Sequence, residues 1–336
     1  MSQVDPEAPE TDLSAVVPVS VVIPVRNEAD NIDALLDALM AQTPLPQRII
    51  VVDAGSTDGT RDRLRERAGT LPCLQVIEVP RAYPGEGRNI GTAAADTEWI
   101  VYTDGGNMPH AGWLQALWTA VADTDLDAAY GLHVAELTTR RSRWFVLAFM
   151  TRARGLGTGL MRHHYIACSI VRKAAWQRIG GFPPTRAAED RMFMIELDKG
   201  PVTDVPAAVV TWSGPRTWAQ IWSRSAILAE HGARAGRTRD WHWPTVRLWA
   251  GGALLAWLLP TPANLAVLSA AMLARGERRR RRHSDEPALR DARWGDLLGV
   301  SACLVVLDLA MYWGWFRRYW YYRDPGGAPP TASAPA

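Results

Sequence analysis

The chain has 336 residues, 48% of them hydrophobic and 21% charged, with a formal net charge of +2. This length and composition predict one large α/β domain with an appended segment, and the small net charge excludes a domain devoted to nucleic acid. The three cysteines, Cys73, Cys168 and Cys303, are too scattered for a disulfide framework or a cysteine metal site.

The first predicted unit is a strand over residues 19–24, followed by a helix. Apolar residues recur there at helical spacing: Ile32, Leu35, Leu36, Leu39 and Met40. The apolar run 49–52 suits a strand covered on both faces, which completes a βαβ unit. Its right-handed crossover places residues 24–28 beside Asp53 at one edge of the sheet.

Asp53 directly follows the second strand, and turn residues come next: Gly55, Ser56, Asp58 and Gly59. Ligands of open α/β sheets bind beyond the carboxyl ends of the strands, where Asp53 can accept hydrogen bonds from a base or ribose. The turn residues supply tight-turn geometry. The pattern therefore predicts a nucleotide-binding loop, and the alternative is an ordinary strand-turn-helix junction.

Two further strands are predicted, over residues 74–79 and 99–103. The second ends in Asp104, where a ligand-facing carboxylate is expected. Between them, a glycine-rich turn over residues 84–91 leads into an alanine-rich helix near Thr92. Backbone amides at the helix start, together with Arg88, predict a diphosphate cradle. No G-x-G-x-x-G follows the first strand, so a nicotinamide cofactor is not expected.

Five segments occur in a recognisable order: Val-Val-Ile-Pro-Val-Arg-Asn-Glu (21–28), Val-Val-Asp-Ala-Gly-Ser-Thr-Asp-Gly-Thr (51–60), Gly-Arg-Asn-Ile-Gly (87–91), Tyr-Thr-Asp-Gly-Gly (102–106) and Gly-Gly-Phe-Pro with Ala-Glu-Asp (180–190). Over residues 18–235 the chain resembles the family 2 glycosyltransferases with the GT-A fold, a Rossmann-like, mostly parallel sheet with flanking helices. The resemblance implies sugar transfer from a nucleotide-diphosphate sugar donor, usually with inversion and assisted by a divalent cation, Mg²⁺ or Mn²⁺.

The same resemblance implies roles for individual residues. The donor-binding positions are Pro24, Val25, Arg26, Asn27, Glu28, Asp53, Gly55, Arg88 and Asn89. Asp104 corresponds to the metal-binding carboxylate, which also contacts the donor. Asp190, after Glu189, corresponds to the general base that takes the proton of the acceptor hydroxyl. The alternative for this acidic pair is a cap on the helix predicted over residues 191–197.

One departure from the family concerns the metal. The family presents an Asp-x-Asp arrangement after the fourth strand, whereas Asp104 is followed here by Gly105 and Gly106. Weak metal affinity is therefore expected, with Asn107 or His110 as further candidate ligands. The departure also leaves open a catalytically weak or silent membrane adaptor that binds a nucleotide sugar.

Tryptophans and arginines are interleaved after residue 200, which is typical of a membrane interface. Trp212, Arg216 and Arg224 lie in a segment that resembles the one after the catalytic acid in membrane-linked members of the family. The resemblance implies that they close the site over the donor and the acceptor phosphate. The alternative is an amphipathic core helix.

Two apolar stretches, 248–259 and 265–273, are separated by a turn signal over residues 260–264. Each is shorter than the roughly 20 residues that a spanning helix needs. A hairpin that dips into the membrane keeps Arg247 and the arginine run 278–282 on one side, as the positive-inside bias prefers. The sequence therefore predicts an anionic membrane as partner of the arginine run.

A third apolar stretch, 297–311, is predicted to span once or to lie in the membrane plane. The predicted divisions are a flexible N-terminus (1–17), a GT-A domain (18–240), a membrane-associated helical region (241–323) and a disordered tail (324–336). The hypothesis is a glycosyltransferase at the cytoplasmic face of the cell membrane, acting on a lipid-linked or glycan acceptor. A soluble glycosyltransferase with packed C-terminal helices is the alternative.

Overall fold

The computed structural model describes residues 16–149, 164–186, 188–215, 217–234, 242–282 and 294–321. Within these ranges one sheet has the strand order β3-β2-β1-β4-β7-β6-β8-β5. Its strands are β1 (Val16–Val25), β2 (Leu45–Asp53), β3 (Leu74–Glu78), β4 (Trp99–Tyr102), β5 (Asn107–Pro109), β6 (Ala128–Glu136), β7 (Ser169–Arg172) and β8 (Val202–Ser213).

The helices that belong with the sheet are α1 (Ile32–Met40), α2 (Thr60–Thr70), α3 (Pro84–Ala94), α4 (Trp113–Val121), α5 (Arg140–Phe149), α6 (Lys173–Ile179) and α7 (Glu189–Leu197). Four more follow toward the C-terminus: α8 (Trp218–Arg234), α9 (His242–Leu258), α10 (Thr261–Arg282) and α11 (Trp294–Tyr321). Buried apolar clusters lie on the sheet and between β6, α5, α8 and α11. The sheet is thus covered on both faces, as its apolar central strands require.

Strands β1 to β4 run parallel and include the predicted βαβ unit. The rest of the sheet is mixed, because β7 is antiparallel to both β4 and β6, and β5 is antiparallel to β8. Ser169 at the start of β7 pairs with Tyr102 at the end of β4. This reversal brings the residues that precede β7 to the carboxyl ends of the parallel strands.

The glycine-rich segment 84–91 is part of α3, so the predicted turn is wrong. The glycines permit close packing of the helix on the sheet. A Cβ on Gly87 would lie 2.9 Å from Pro24 Cβ, and one on Gly91 would lie 2.5 Å from Val22 Cγ1. Glycine therefore serves helix-to-strand contact here, and the helix begins at Pro84 rather than near Thr92.

The C-terminal helices are longer than the apolar stretches predicted. The interruption between α9 and α10 is confined to Leu259 and Pro260, because Pro262 is accepted in the first turn of α10, where its missing N–H costs no helical bond. A Cβ on Gly252 would lie 2.8 Å from Leu268 Cδ2, so the two helices pack against each other as a hairpin near this turn.

Helix α11 joins the hairpin to the rest of the protein. Asp308 is buried in α11 and accepts hydrogen bonds from Arg275 Nη2 over 2.9 Å and from Trp249 Nε1 over 3.1 Å. Among the described residues, one helical segment, Gly295–Arg317, has the length and apolarity to cross a bilayer, and 56% of an apolar 18-residue stretch within it is buried inside the protein. A buried core helix of a protein has the same length and apolarity.

The predicted domain boundaries stay predictions. Residues 16 and 17, assigned to the flexible N-terminus, already belong to β1. Residues 1–15 and the predicted tail 324–336 lie outside the described residues.

Candidate active site

The loops after β1 and β2 are tied together by hydrogen bonds. The Asn27 N–H donates to Ser56 Oγ over 2.9 Å, and the Thr57 N–H donates to Asn27 Oδ1 over 2.9 Å. The Glu28 N–H donates to Thr60 Oγ1 over 2.8 Å. Asn27 has a φ of 59°, a left-handed conformation that asparagine tolerates. Each loop therefore fixes the other at the carboxyl ends of β1 and β2.

Asp53 lies at the centre of this arrangement and is fully buried. Its carboxylate accepts the Ser56 N–H over 3.2 Å and pairs with Arg61 Nη2 over 3.1 Å. Gly55 has a φ of 77°, and a Cβ there would lie 2.3 Å from the Pro80 carbonyl oxygen. Asp53 thus holds the turn in place, and its predicted contact with a nucleoside stays a prediction.

The other predicted donor residues after β1 differ in exposure. Arg26 and Asn27 are exposed, Pro24 and Glu28 are half-buried, and Val25 is buried. The loop therefore presents Arg26 and Asn27 to solvent, while Val25 anchors it in the core.

Arg88 on α3 joins two carboxylates that come from distant parts of the chain. Its Nη2 lies 2.6 Å from Asp104 Oδ1, and its Nη1 lies 3.4 Å from Glu189 Oε1. The Arg88 side chain is only 4% exposed. Burial alone would lower the pKa of Arg88, but Asp104 and Glu189 raise it, so the guanidinium stays charged. Arg88 therefore fixes the distance between the end of β4 and the start of α7.

Glu189 is buried, and Asp190 beside it is half-buried. Burial raises the pKa of Glu189, Arg88 opposes this rise, and Asp190 adds to it. A Cβ on Gly85 would lie 2.7 Å from Glu189 Cγ, so α3 packs directly on this carboxylate. Asp190 is thus the more accessible carboxylate of the pair, and its Oδ1 accepts the Arg191 N–H over 2.7 Å.

The residues that could hold a divalent cation are Asp104 and Glu28. A Cβ on Gly105 would lie 2.8 Å from Glu28 Cγ, and burial raises the pKa of Glu28, with Asp104 contributing to the rise. Mg²⁺ typically takes one or two protein carboxylates, with phosphate and water completing its shell, and these residues fit that donor set. Among the described residues, no group of three or more His, Cys, Asp or Glu side chains could hold a metal ion.

The two further candidate ligands have other contacts. His110 Nε2 lies 2.7 Å from Thr211 Oγ1 at the far end of β5. Asn107 is buried and its Nδ2 donates to the Ala167 carbonyl over 3.3 Å, while its Oδ1 has no hydrogen-bond partner among the described residues. The ligand roles of His110 and Asn107 stay predictions, and Asn107 Oδ1 is available as an acceptor among the described residues.

Asn89 positions the turn before α7. Its Nδ2 donates to the Phe182 carbonyl over 2.8 Å, and its Oδ1 accepts the Phe182 N–H over 2.8 Å and Trp176 Nε1 over 2.9 Å. These partners occupy the amide and tie Asn89 to the turn that leads to Glu189, while its predicted contact with the donor stays a prediction.

Trp212 and Arg224 form one unit at the edge of the site. The Arg224 guanidinium carbon lies 4.6 Å from the centroid of the Trp212 ring. Trp212 is 8% exposed and packs with Phe145, while its backbone pairs with Asn107. Arg216 lies outside the described residues. The predicted closure of the site by these residues stays a prediction.

Three contacts of the site were not predicted from the sequence. The Tyr165 hydroxyl lies 3.4 Å from Asp104 Oδ2, Arg61 pairs with Asp53, and Phe182 lies 5.5 Å from the Arg88 guanidinium carbon. Phe182 follows the Gly180-Gly181 turn and could have been found from that motif. Tyr165 gives no such signal, because only the reversal into β7 brings it to Asp104.

A family model and a solved structure are similar to this chain. The family model described as "Glycosyl transferase family 2" matches residues 20–180 of this chain. A mannosyltransferase from Pyrobaculum calidifontis, PcManGT, solved in complex with GDP-Man and Mn²⁺, superposes with a TM-score of 0.53 and 20% identity over 91% of this chain and 88% of that one. The fold is therefore GT-A.

Two characterised relatives are similar in sequence. The glycosyltransferase AglE of Haloferax volcanii is 34% identical over 116 residues, which cover 34% of this chain and 38% of that protein. The pre-mycofactocin glycosyltransferase of Mycobacterium tuberculosis is 27% identical over 281 residues, which cover 77% of this chain and 58% of that protein. The similarity thus spans less than two thirds of either relative.

Proposed function

We propose that this protein transfers a sugar, with inversion, from a nucleotide-diphosphate sugar to a lipid-linked or membrane-proximal acceptor at the cytoplasmic face of the cell membrane. The observation that carries the proposal is the Arg88 bridge, which joins Asp104 at the end of β4 to Glu189 at the start of α7. The bridge sits beside the interlocked loops of β1 and β2, where α/β sheets bind ligands.

The proposed reaction assigns a task to each part of the site. The acceptor oxygen forms a bond to the anomeric carbon, the bond from that carbon to the diphosphate breaks, and the nucleoside diphosphate leaves. Asp190 takes the acceptor proton. Asp104 and Glu28 would hold a divalent cation, which supplies charge compensation for the leaving diphosphate. Glu189 and Arg88 keep these groups in place.

The test of this function is release of nucleoside diphosphate from a panel of UDP-, GDP- and dTDP-sugars. We expect at least one donor to raise the unfolding temperature, because a ligand that binds only the folded state stabilises it. We also expect slow hydrolysis of that donor without acceptor. A protein that bound a donor and never hydrolysed or transferred it would be a nucleotide-sugar-binding adaptor, and one that bound no donor would have another function.

Asp104→Asn should remove the cation dependence of donor binding, because the amide keeps the shape of the carboxylate and loses its charge. The measurement is the thermal shift produced by the best nucleoside diphosphate with and without Mn²⁺. Asp62→Asn is the matched control, since Asp62 is exposed on α2. An unchanged Mn²⁺ effect in the Asp104 variant would move the cation site elsewhere.

The α9–α10 hairpin supports the membrane part of the proposal. Its tip exposes six large apolar side chains: Leu254, Leu255, Trp257, Leu258, Leu265 and Val267. At about 100° per residue, the exposed positions of α9 near the tip extend over more than half of its circumference. A protein partner would cover one side of such a tip, whereas lipid surrounds it. Trp257 is 81% exposed, which makes it the principal candidate for insertion.

The arginine run lies at the other end of α10. From Thr261 to Arg278 the helix rises about 26 Å, somewhat more than half the thickness of a bilayer with its headgroups. Arg280 and Arg281 share Glu277, whose pKa they lower to about 2. The base of the hairpin would therefore sit at headgroup level, with a weaker positive charge than the sequence alone indicates.

Replacing Leu254, Trp257 and Leu258 together by serine should weaken binding to anionic vesicles at least about 100-fold, because each fully inserted side chain contributes about 1.5–3 kcal/mol. Sedimentation with phosphatidylglycerol vesicles measures the effect at low and high salt. Val16→Ser, at an exposed position on β1, is the control. The membrane assignment would be refuted if the parent protein is soluble without detergent and does not bind the vesicles.

A further inference from the structure

A groove of about 310 Å³ opens between the loop before α3, the segment before α7, and helices α8 and α11. Its principal lining residues are Arg81, Tyr83, Arg186, Trp222, Trp313 and Arg317. This volume is at the lower end of the range of small-molecule sites.

The groove lies next to the Arg88 bridge. Tyr83 caps α3 two positions before Gly85, which packs on Glu189. Arg186 precedes Glu189 by three positions. Tyr83 and Arg186, on two walls of the groove, are therefore close in sequence to Gly85 and Glu189, which pack against each other.

The groove has an excess of positive charge. Three arginines line it, and Glu230 is the single carboxylate among its described lining residues. Arg317 Nε lies 3.8 Å from Glu230 Oε2, which is a loose contact, and the Arg81 guanidinium carbon lies 5.5 Å from the Tyr83 ring centroid. Arg81 and Arg186 are exposed. Arginines of this kind bind phosphate through paired N–H donors.

An apolar track on α11 leads to the groove. The exposed residues Leu298, Leu309, Trp313 and Phe316 are spaced by eleven, four and three positions, so they lie on one side of the helix. The opposite side is packed, since a Cβ on Gly314 would lie 2.0 Å from the Ala226 carbonyl oxygen. Trp313 belongs both to the track and to the wall of the groove. Charge and apolar surface thus meet at one end of α11.

We infer that this groove binds the lipid end of the acceptor, a sugar joined through a phosphate or diphosphate to a long apolar alcohol, with the reacting hydroxyl on the sugar. Its phosphate would lie among Arg81, Arg186 and Arg317, and its chain would run along the α11 track. This inference rests on the proposed function, because it defines the chemical class of the acceptor. Inorganic phosphate lacks a chain for the track, and the free alcohol lacks a charge for the arginines.

The test is calorimetric titration of the full chain, in detergent where needed, with farnesyl phosphate, farnesol, inorganic phosphate and dihexanoyl phosphatidylglycerol. We expect farnesyl phosphate to bind at least tenfold more tightly than the other three. Arg186→Gln and Arg317→Gln should each weaken the binding of farnesyl phosphate about tenfold. Arg48→Gln, at a partly exposed arginine on β2 that lies 3.6 Å from Asp96, is the matched control and should change nothing.

Two results would overturn the inference. Equal binding of phosphatidylglycerol would make the groove a site for bilayer headgroups, and unchanged affinity in both arginine variants would place the phosphate elsewhere. The thermal shift with nucleoside diphosphate and Mn²⁺ is measured on the same variants and should match the parent, which shows that they fold. If nucleoside diphosphate and Mn²⁺ do not raise the unfolding temperature of the parent protein, the proposed function is refuted independently of the groove.

Discussion

Asp190→Asn is expected to lower turnover at least about 100-fold while leaving donor affinity nearly unchanged, because a general base acts only on the acceptor proton. Asp190 is half-buried at the start of α7, so the amide fits without repacking. Single-turnover kinetics with the donor identified by thermal shift gives the rate, and titration gives the affinity. A fall in donor affinity equal to the fall in turnover would place Asp190 in the donor site.

Two controls make this result specific. Asp62→Asn changes the same chemical group at an exposed position and should leave turnover within a factor of about two. Glu189→Gln tests the neighbour, and we expect it to affect stability more than Asp190→Asn does, because Glu189 is buried against Arg88. Retained turnover in Asp190→Asn would remove this residue from the mechanism.

Arg88→Met should destabilise the protein by about 3–5 kcal/mol at pH 8, because it leaves the carboxylates of buried Glu189 and of Asp104 without their shared cation. Urea unfolding followed by circular dichroism measures the free energy. The control is Arg63→Met, since Arg63 is exposed and pairs with the partly exposed Asp33, and it should cost about 1 kcal/mol or less. Equal losses in the two variants would contradict a structural role for the bridge.

The same variant should show a distinct pH dependence. Burial raises the pKa of Glu189 above its ordinary value, so the folded state holds this proton more tightly than the unfolded chain does. The resulting stability is present at acid pH and is lost as pH rises through the folded-state value. Without Arg88 the pKa rises further, and protonation relieves the uncompensated charge. The deficit of Arg88→Met should therefore be smaller at pH 5.5 than at pH 8.

Local patterns were sufficient for the parts of the fold that depend on local sequence. The apolar runs that end at Asp53 and Asp104 predicted two parallel strands and the edge at which their carboxylates lie. Helix α1 followed from the spacing of its buried residues. In these elements the buried residues are the ones that recur at the spacing of the helix or strand, so the sequence alone identifies them.

Other features depend on contacts between distant segments. From the sequence alone, the glycines of α3 predict a turn. In the structure β1 lies beneath this helix, and the glycines allow it to approach Pro24 and Val22. The sequence did not predict that α7, about 100 positions later, brings Glu189 against Arg88, and the diphosphate contact of Arg88 stays a prediction. The local sequence does not reveal such pairings, because glycine suits both a turn and a close helix contact, and arginine suits both a phosphate and a carboxylate.

Buried Asp308 ties the three C-terminal helices α9, α10 and α11 to one another. Its bonds to Trp249 and Arg275 lock α9, α10 and α11 in a single register, since a slide of one residue would leave a charge buried without its partner. The three helices then behave as a spacer of fixed length. Where the tip inserts as proposed, this spacer sets the height of Asp190 above the lipid and so selects acceptors whose reactive group stands at that height.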